Sequence, residues 1–329
     1  MTTQLLELAT YVADTIDENT VLPLAEAFGR PPDQFRLFVV FLMQYPNGWF
    51  MYYCIHGTWA RHIYSIVVGL LIQTYVYGFD IVHVFLISGV AYAIMNIAPR
   101  HKQAPMVMMW VLAYLSYNHI YMLLYHYGAF AMDITSQTML LVCKLSALAY
   151  CYQDGMADPE KLNADQRARK VVNMASPLEF ASYVWFCQQA GLGVFYEYSD
   201  YIRFIEKTHE YKDVPSPILP SLIWFGKGLF TLAIFTVVAP IYSVETCFTK
   251  EFTDFVFAYR VFFYYIAMSV KRFFYYTPFC MTTGSMIASG LGYNGMEKGE
   301  HKWDKIVGVY IWEVETAASP MEMFKYWNH

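Results

Sequence analysis

Histidine is the side chain best suited to metal binding and to acid–base chemistry near neutral pH, and this 329-residue sequence has nine. Membrane lipid enzymes that use iron carry clustered histidines, because several imidazoles must converge on one metal ion. The closest pairs here are His56 with His62 and His119 with His126, and neither pair has a neighbouring carboxylate. The histidine boxes of desaturases and the HxxHH pattern of elongases are absent from the sequence. We therefore predict no metal site and no resident cofactor.

A glycine pattern near the end of the chain could indicate nucleotide chemistry. Residues 290–295 read Gly-Leu-Gly-Tyr-Asn-Gly, which matches GxGxxG, and Glu313 and Glu315 follow some distance later. This pattern indicates dinucleotide binding only where it joins a strand to a helix in a βαβ unit. Here a long aromatic, apolar segment precedes it and a charged segment follows it. We therefore predict that no Rossmann fold forms at these residues.

The composition is that of a membrane protein. Hydrophobic residues make up 57% of the chain and charged residues 15%, whereas soluble domains carry about 25% charged residues. The net charge of −5 gives no basic surplus for a nucleic-acid partner. The mean hydropathy of +0.30 is modest because the 29 tyrosines lower it, although tyrosine suits bilayer interfaces. The six cysteines form no CxxC pair, so we expect reduced thiols.

Apolar segments long enough to cross a bilayer recur along the chain. Residues 103–132, for example, contain no Asp, Glu, Lys or Arg. We predict an all-α, polytopic transmembrane protein with about 8–10 membrane helices in one domain over residues 1–329. The charged segments 154–170, 199–213 and 294–305 are expected to be aqueous loops. The candidate spans are 35–53, 63–78, 81–98, 105–127, 134–153, 178–196, 218–242, 255–276 and 279–293.

Four blocks of sequence, in order along the chain, carry a resemblance to a known family. The blocks are GRPPDQFRLFVVFL at 29–42, MDITSQTMLLVCKLSALAYCYQDG at 132–155, SPLEFASYVWFCQQAGLGVFYEYSDY at 176–201, and GLGYNGMEKGEHKWD at 290–304 followed by YIWEVET at 310–316. Lys144 lies at the expected place in the second block, and Trp327-Asn328 follows the fourth. Over essentially the whole chain, the sequence resembles the lysophospholipid acyltransferase branch of the membrane-bound O-acyltransferase (MBOAT) family.

The resemblance implies transfer of an acyl group from acyl-CoA to the free hydroxyl of a lysophospholipid, in a membrane that we expect to be the endoplasmic reticulum. A hydroxyl is a weak nucleophile, so a general base, usually histidine, must take its proton. By resemblance, the Asn328 amide orients the hydroxyl or donates to the developing oxyanion. Lys302 and Trp303 are expected to bind substrate. The lysines around His301 favour either a solvated cluster or contact with the CoA phosphates.

Two departures from the family pattern leave alternatives open. Gly193-Val194 stands where the family usually has Gly-Pro. The family's catalytic histidine lies in a Trp-His-Gly-like motif well beyond the asparagine, whereas this sequence ends at His329. His329 is a poor substitute, because adjacent residues on a helix point about 100° apart. We therefore expect the chain to lack the family's C-terminal helices and its base. The alternatives are a catalytically silent acyltransferase-like protein, a truncated product, or an unrelated transporter.

Overall fold

The structure, a computed structural model, describes residues 14–28, 32–127, 133–189 and 193–327. Their long apolar runs form helices, which satisfy their own backbone hydrogen bonds and so suit a bilayer. The prediction of an all-α membrane protein is confirmed. The α-helices are α1 (Leu22–Phe28), α2 (Pro32–Cys54), α3 (Thr58–Tyr77), α4 (Val82–Ile97), α5 (Arg100–Tyr125), α6 (Thr135–Asp154), α7 (Ala164–Arg169), α8 (Pro177–Val184), α9 (Tyr198–Glu206), α10 (Ile218–Val238), α11 (Lys250–Asp254), α12 (Phe257–Ser289), α13 (Ile311–Glu315) and α14 (Pro320–Tyr326).

Short elements connect several of these helices. A π-helical turn precedes α1, and 3₁₀ turns lie in the connections between later helices. One small hairpin follows α12 and provides the strands of the described residues. These elements are the π turn Asp17–Val21, the 3₁₀ turns Gly78–Ile81, Pro159–Lys161, His209–Tyr211 and Glu245–Phe248, and the antiparallel strands β1 (Met296–Glu297) and β2 (Glu300–His301).

The described residues contain three stretches that are long and apolar enough to cross a membrane: Thr58–Ile97, Arg100–Tyr125 and Ile218–Val238. This number is smaller than the expected 8–10, and the sequence gives two reasons. The candidates 255–276 and 279–293 form one helix, α12. Candidate 178–196 contains the short helix α8, and its described residues 185–189 and 193–196 are irregular chain. In addition, α2, α6 and α12 carry tyrosines and polar or charged residues, which lower their hydropathy.

Small residues allow the central helices to approach closely. Helix α12 packs along both α10 and α2, and α5 packs along α6. A Cβ atom added at Gly48 in α2 would lie 2.8 Å from the Cβ of Ala288 in α12, and one added at Gly228 in α10 would lie 3.0 Å from Met281. Close packing of this kind drives helix association in membranes, where lipid offers no hydrophobic gain. Glycines therefore bring α2 and α10 against the same long helix.

The segment after α8 is irregular but buried. Ser176 caps α8 through a capping box with Glu179, and Pro177 occupies the first turn. Beyond α8, the side chains from Trp185 to Gln189 are at most 4% exposed. Irregular chain at membrane depth is tolerated where protein surrounds it. This buried connection lies against α6 and supplies most of the partners of the lysine described below.

The GxGxxG residues end a helix. Gly290 adopts the left-handed conformation (φ 94°) after α12, and its N–H donates to the Ile287 carbonyl at 2.8 Å. The β1–β2 hairpin then follows. Within the described ranges no βαβ unit surrounds residues 290–295, because the strands there pair only with each other. The prediction that this pattern is not a Rossmann motif is confirmed.

Candidate functional site

The residue expected to act in catalysis, Asn328, and its neighbour His329 lie outside the described residues. The chain is described up to Trp327, whose indole packs against α12, with ring centroids 5.6 Å from Tyr276 and 6.0 Å from Phe279. Trp327 also pairs with Val309 in an isolated antiparallel bridge. The residue directly before Asn328 is therefore held against the middle of the longest helix.

An ion-pair cluster borders this tryptophan. Arg272 of α12 binds Glu315 of α13 through two bonds, Nε to Oε1 at 2.8 Å and Nη2 to Oε2 at 2.6 Å. The Tyr276 hydroxyl donates to the same Oε1 at 2.6 Å. Burial alone would raise the pKa of Glu315, but the hydrogen bonds from Arg272 and Tyr276 outweigh it and lower the pKa. The cluster keeps Glu315 ionised and fixes α13 on α12.

The expected substrate-binding residues Lys302 and Trp303 lie at the hairpin. Lys302 Nζ forms an exposed ion pair with Glu300 at 3.1 Å, and its N–H donates to the Gly295 carbonyl. The Trp303 ring packs edge-on against Tyr293, with centroids 5.2 Å apart. Trp303 thus anchors the hairpin to the core and Lys302 points to its surface. Their role in substrate binding stays a prediction.

The lysines near His301 do not form one free basic cluster. Lys305 binds two carboxylates, Asp200 at 3.3 Å and Glu210 at 3.1 Å. Burial opposes ionisation of Glu210, but its backbone hydrogen bond and the Lys305 ammonium outweigh this and lower its pKa. His301 Nδ1 forms a 2.9 Å hydrogen bond with the Tyr293 hydroxyl. The structure therefore separates Lys305, a structural residue, from the exposed Lys302.

The histidine pairs do not converge on a metal. His62 is buried and bonds the Ser182 hydroxyl, whereas His56, His119 and His126 are exposed. No group of three or more His, Cys, Asp or Glu side chains in the described part of the chain could hold a metal ion. In the second pair, His119 is exposed on α5 and His126 is exposed directly after the end of α5.

A buried lysine is the feature that the sequence analysis did not interpret. Lys144 of α6 is fully buried, and its Nζ donates to the Tyr183 carbonyl at 2.6 Å, Gln189 Oε1 at 2.6 Å and the Tyr196 hydroxyl at 2.7 Å. Nζ also lies over the Tyr183 and Tyr196 rings, 4.1 and 4.3 Å from their centroids. No carboxylate of the described chain pairs with it. The available signal was a single cation inside an otherwise apolar block.

Comparisons with known proteins agree with this architecture. Residues 119–329 match the membrane-bound O-acyltransferase family, MBOAT. The chain is 28% identical to human membrane-bound glycerophospholipid O-acyltransferase 1, over 93% of this chain and 66% of that protein. It is 27% identical to the lysophospholipid acyltransferase of Schizosaccharomyces pombe, over 91% and 61%, and 26% identical to lysophospholipid acyltransferase 6 of Drosophila melanogaster, over 82% and 40%. The chain thus spans less than two thirds of the length of these relatives. It belongs to the membrane-bound O-acyltransferase family.

Proposed function

We propose that the protein is an acyl-CoA:lysophospholipid O-acyltransferase that acts in phospholipid remodelling. The observation that carries the proposal is the match to the O-acyltransferase family over residues 119–329, together with relatives named as lysophospholipid acyltransferases. The polytopic apolar fold supports it, because both the acceptor and the product of such a reaction are lipids. No cofactor is required for the reaction, since the thioester of acyl-CoA supplies the activated acyl group.

The proposed reaction forms one ester and breaks one thioester. The free hydroxyl oxygen of the lysophospholipid attacks the thioester carbonyl of acyl-CoA, and the carbon–sulfur bond then breaks. The hydroxyl proton passes to a general base and finally to the sulfur of CoA. A positioned base contributes about 10²–10⁴-fold to the rate. The family resemblance implies that this base is a histidine.

Asn328 is proposed for the electrostatic part of this reaction. Its amide would donate to the carbonyl oxygen as negative charge develops there, or would hold the attacking hydroxyl in line. The contacts of Trp327 support this assignment, because they fix the preceding residue against α12 through Tyr276 and Phe279. A side chain that must meet a transition state needs such a rigid support.

Acyl transfer by membranes that contain the protein tests the proposal. The complete coding sequence is expressed in a host with little acyltransferase background, and membranes receive oleoyl-CoA and lysophosphatidylcholine. Thiol release and labelled phospholipid are measured. We expect acyl transfer by the wild type, and a rate lower by about 10²-fold or more in Asn328→Ala. The matched control is His329→Ala, which we expect to retain most of the activity.

Other acceptors extend the same assay. Lysophosphatidylethanolamine, lysophosphatidylserine and lysophosphatidylinositol are compared at equal concentration. Failure of every lysophospholipid acceptor, with the protein present and folded, would refute the proposal and favour a catalytically silent family member. Localisation of the tagged protein tests the proposed endoplasmic reticulum membrane.

A further inference from the structure

A basic cavity lies where several helices end on the same side of the bundle. It has a volume of about 210 Å³ and lies between the last turn of α2, the first turn of α3, the end of α9 and the end of α12. Tyr52 at its wall donates from its hydroxyl to the Val214 carbonyl at 2.6 Å, which fixes the loop before α10. Its charged lining residues are Arg61, Lys207, Lys212 and Asp213. The lining therefore carries three cationic groups and one carboxylate.

Arg61 forms the buried wall of this cavity. The residue is 2% exposed, and its Nη1 donates to the carbonyls of Phe204 at 2.7 Å and Ile205 at 3.2 Å. Its guanidinium lies 4.3 Å from the centroid of the Phe204 ring. Its Nε makes no hydrogen bond, and no carboxylate forms an ion pair with it in the ranges that the structure describes. A buried cation without an anion is costly, so this arrangement favours an anionic ligand.

The two carbonyls that bind Arg61 hold it without neutralising it. They belong to the last turn of α9, where the helix dipole gives a partial negative charge of roughly half a unit. This orients the guanidinium and compensates its positive charge only in part. Arginine presents several donors in one plane, a geometry that matches phosphate oxygens.

Lys207 and Lys212 add charge at the rim. Lys207 ends α9 in the left-handed conformation, with φ 54°, and both lysine side chains are exposed. Although Lys207 is exposed, its ammonium is partly desolvated beside the cavity, and this desolvation and the nearby Arg61 guanidinium lower its pKa. The two lysines thus place positive charge at the solvent side of the cavity. Asp213 is the one carboxylate of the lining, and it is exposed.

The position of the cavity fits the level of lipid headgroups. Arg61 lies in the first turn of α3, one of the apolar stretches able to span the membrane. Trp59, in the same turn, is 70% exposed, and exposed tryptophans are enriched at bilayer interfaces. Phosphate groups of membrane lipids lie at this level.

We propose that Arg61, Lys207 and Lys212 bind a phosphate group of one of the substrates. The inference rests on the proposed function for the identity of the ligand, since both a lysophospholipid and acyl-CoA carry phosphate. The observation that supports phosphate binding itself is the buried Arg61 guanidinium, which has no carboxylate partner in the described chain and lies in a basic cavity. The pocket binds the phosphate and not the reacting acyl carbon.

Binding of water-soluble phosphate esters tests the pocket directly. The purified full-length protein in neutral detergent is titrated with glycerophosphocholine, which represents the lipid headgroup, and with CoA. Glycerol and pantetheine are the phosphate-free counterparts. Ligand-induced stabilisation against heat gives an apparent Kd for each probe. The variants are Arg61→Gln and the double rim variant Lys207→Gln/Lys212→Gln. The control is Lys161→Gln, which removes an exposed lysine that does not line the cavity.

We expect the Kd for one phosphate probe to rise about tenfold or more in Arg61→Gln and about three- to tenfold in the rim variant. Lys161→Gln should change it less than twofold. If only glycerophosphocholine loses affinity in the variants, the ligand is the lipid phosphate. If only CoA loses affinity, the ligand is a phosphate of CoA. If Arg61→Gln fails to fold, the rim variant decides the question, because its lysines are exposed.

Equal binding of phosphate-bearing and phosphate-free probes, or unchanged Kd values in the variants, would overturn the proposal. Its failure is distinct from failure of the proposed function. Phosphate binding without acyl transfer would refute the function alone, and acyl transfer with unaltered binding in the variants would refute the pocket alone.

Discussion

Two buried cations in this protein are held in opposite ways. Lys144 donates to three acceptors and lies over two aromatic rings, so its ammonium has no hydrogen-bonding capacity left. Arg61 uses Nη1 for two carbonyls, while its Nε stays unbonded. Neither has a carboxylate partner within the described chain. The saturated cation joins parts of the fold, and the unsaturated one borders a cavity. If Arg61 binds phosphate as proposed, hydrogen-bond saturation, and not burial alone, separates a structural charge from a binding charge.

The acceptors of Lys144 lie at the end of α8 and in the irregular chain described at 185–189 and 193–197. The lysine reaches from α6 to three groups that are distant in sequence, at Tyr183, Gln189 and Tyr196. It thereby joins α6 to the described chain on either side of residues 190–192. The Tyr183 hydroxyl adds a 3.0 Å bond to the Tyr196 carbonyl. This part of the fold therefore combines apolar core packing with hydrogen bonds to one buried cation.

Replacing this cation should give the largest loss of stability. In Lys144→Met the Tyr183 carbonyl and Gln189 Oε1 each lose a hydrogen bond from a charged donor, which contributes about 1.5–3 kcal/mol. The Tyr196 hydroxyl can still donate to one of these two acceptors. Relief of the buried charge offsets part of this cost, so we expect a loss of about 2–4 kcal/mol. Thermal unfolding in detergent measures it. The control Lys161→Met should have the melting temperature of the wild type. If Lys144→Met also has that melting temperature, the fold does not need this cation.

Ligand-dependent stability sharpens the comparison between the two cations. At 100 times its Kd, a ligand stabilises the native state by about 2.7 kcal/mol. We expect the preferred phosphate ester to raise the melting temperature of the wild type and of Lys144→Met by similar amounts. In Arg61→Gln the rise should largely disappear. A rise that vanishes in Lys144→Met but persists in Arg61→Gln would reverse the roles assigned to the two residues.

A third cation, Arg272, has a carboxylate partner, and its contribution to stability should therefore depend on pH. We expect Glu315→Gln to cost about 1–2 kcal/mol, because it weakens charge-assisted bonds to Arg272 and Tyr276. The pKa of Glu315 in the folded protein lies below its usual value of 4.5. The stabilisation from the ionised carboxylate is therefore complete above pH 4.5, and it is lost as the pH falls through the lowered pKa.

The measurement for this pair is thermal unfolding from neutral pH to about pH 3. The difference in melting temperature between the wild type and Glu315→Gln should be constant near neutral pH and should become smaller in acid. Lys144→Met should show no such convergence with the wild type over the same range, because no carboxylate pairs with Lys144 in the described residues. A gap for Glu315→Gln that is independent of pH would contradict the ionised pair.

The helices could largely be predicted from the sequence, and the polar sites could not. Apolar runs without charges predict elements such as α5, because a run of that length in a bilayer has few alternatives to a helix. The 178–196 block is also apolar, yet its described residues form the short helix α8 and buried irregular chain at 185–189, which hydropathy does not distinguish from a span. Lys144 finds its acceptors 39 to 52 residues away, and Arg61 finds its own 143 and 144 residues away. Pairings at such separations depend on the tertiary fold.

Replacing Lys302 should have the smallest effect on stability and activity, and it tests the substrate-binding role expected from the sequence. The ammonium is exposed and its one ion pair, with Glu300, lies on the hairpin surface, where such pairs contribute little to stability. We therefore expect Lys302→Gln to melt with the wild type. If Lys302 contacts acyl-CoA, losing one screened charge should raise the KM for acyl-CoA about two- to threefold and leave kcat unchanged. Membrane assays at low and high salt measure this, and added salt should narrow the difference, with Lys161→Gln as the control of equal charge. Equal KM values in Lys302→Gln and Lys161→Gln would remove Lys302 from the substrate site and leave the hairpin a structural role through Trp303 and Tyr293.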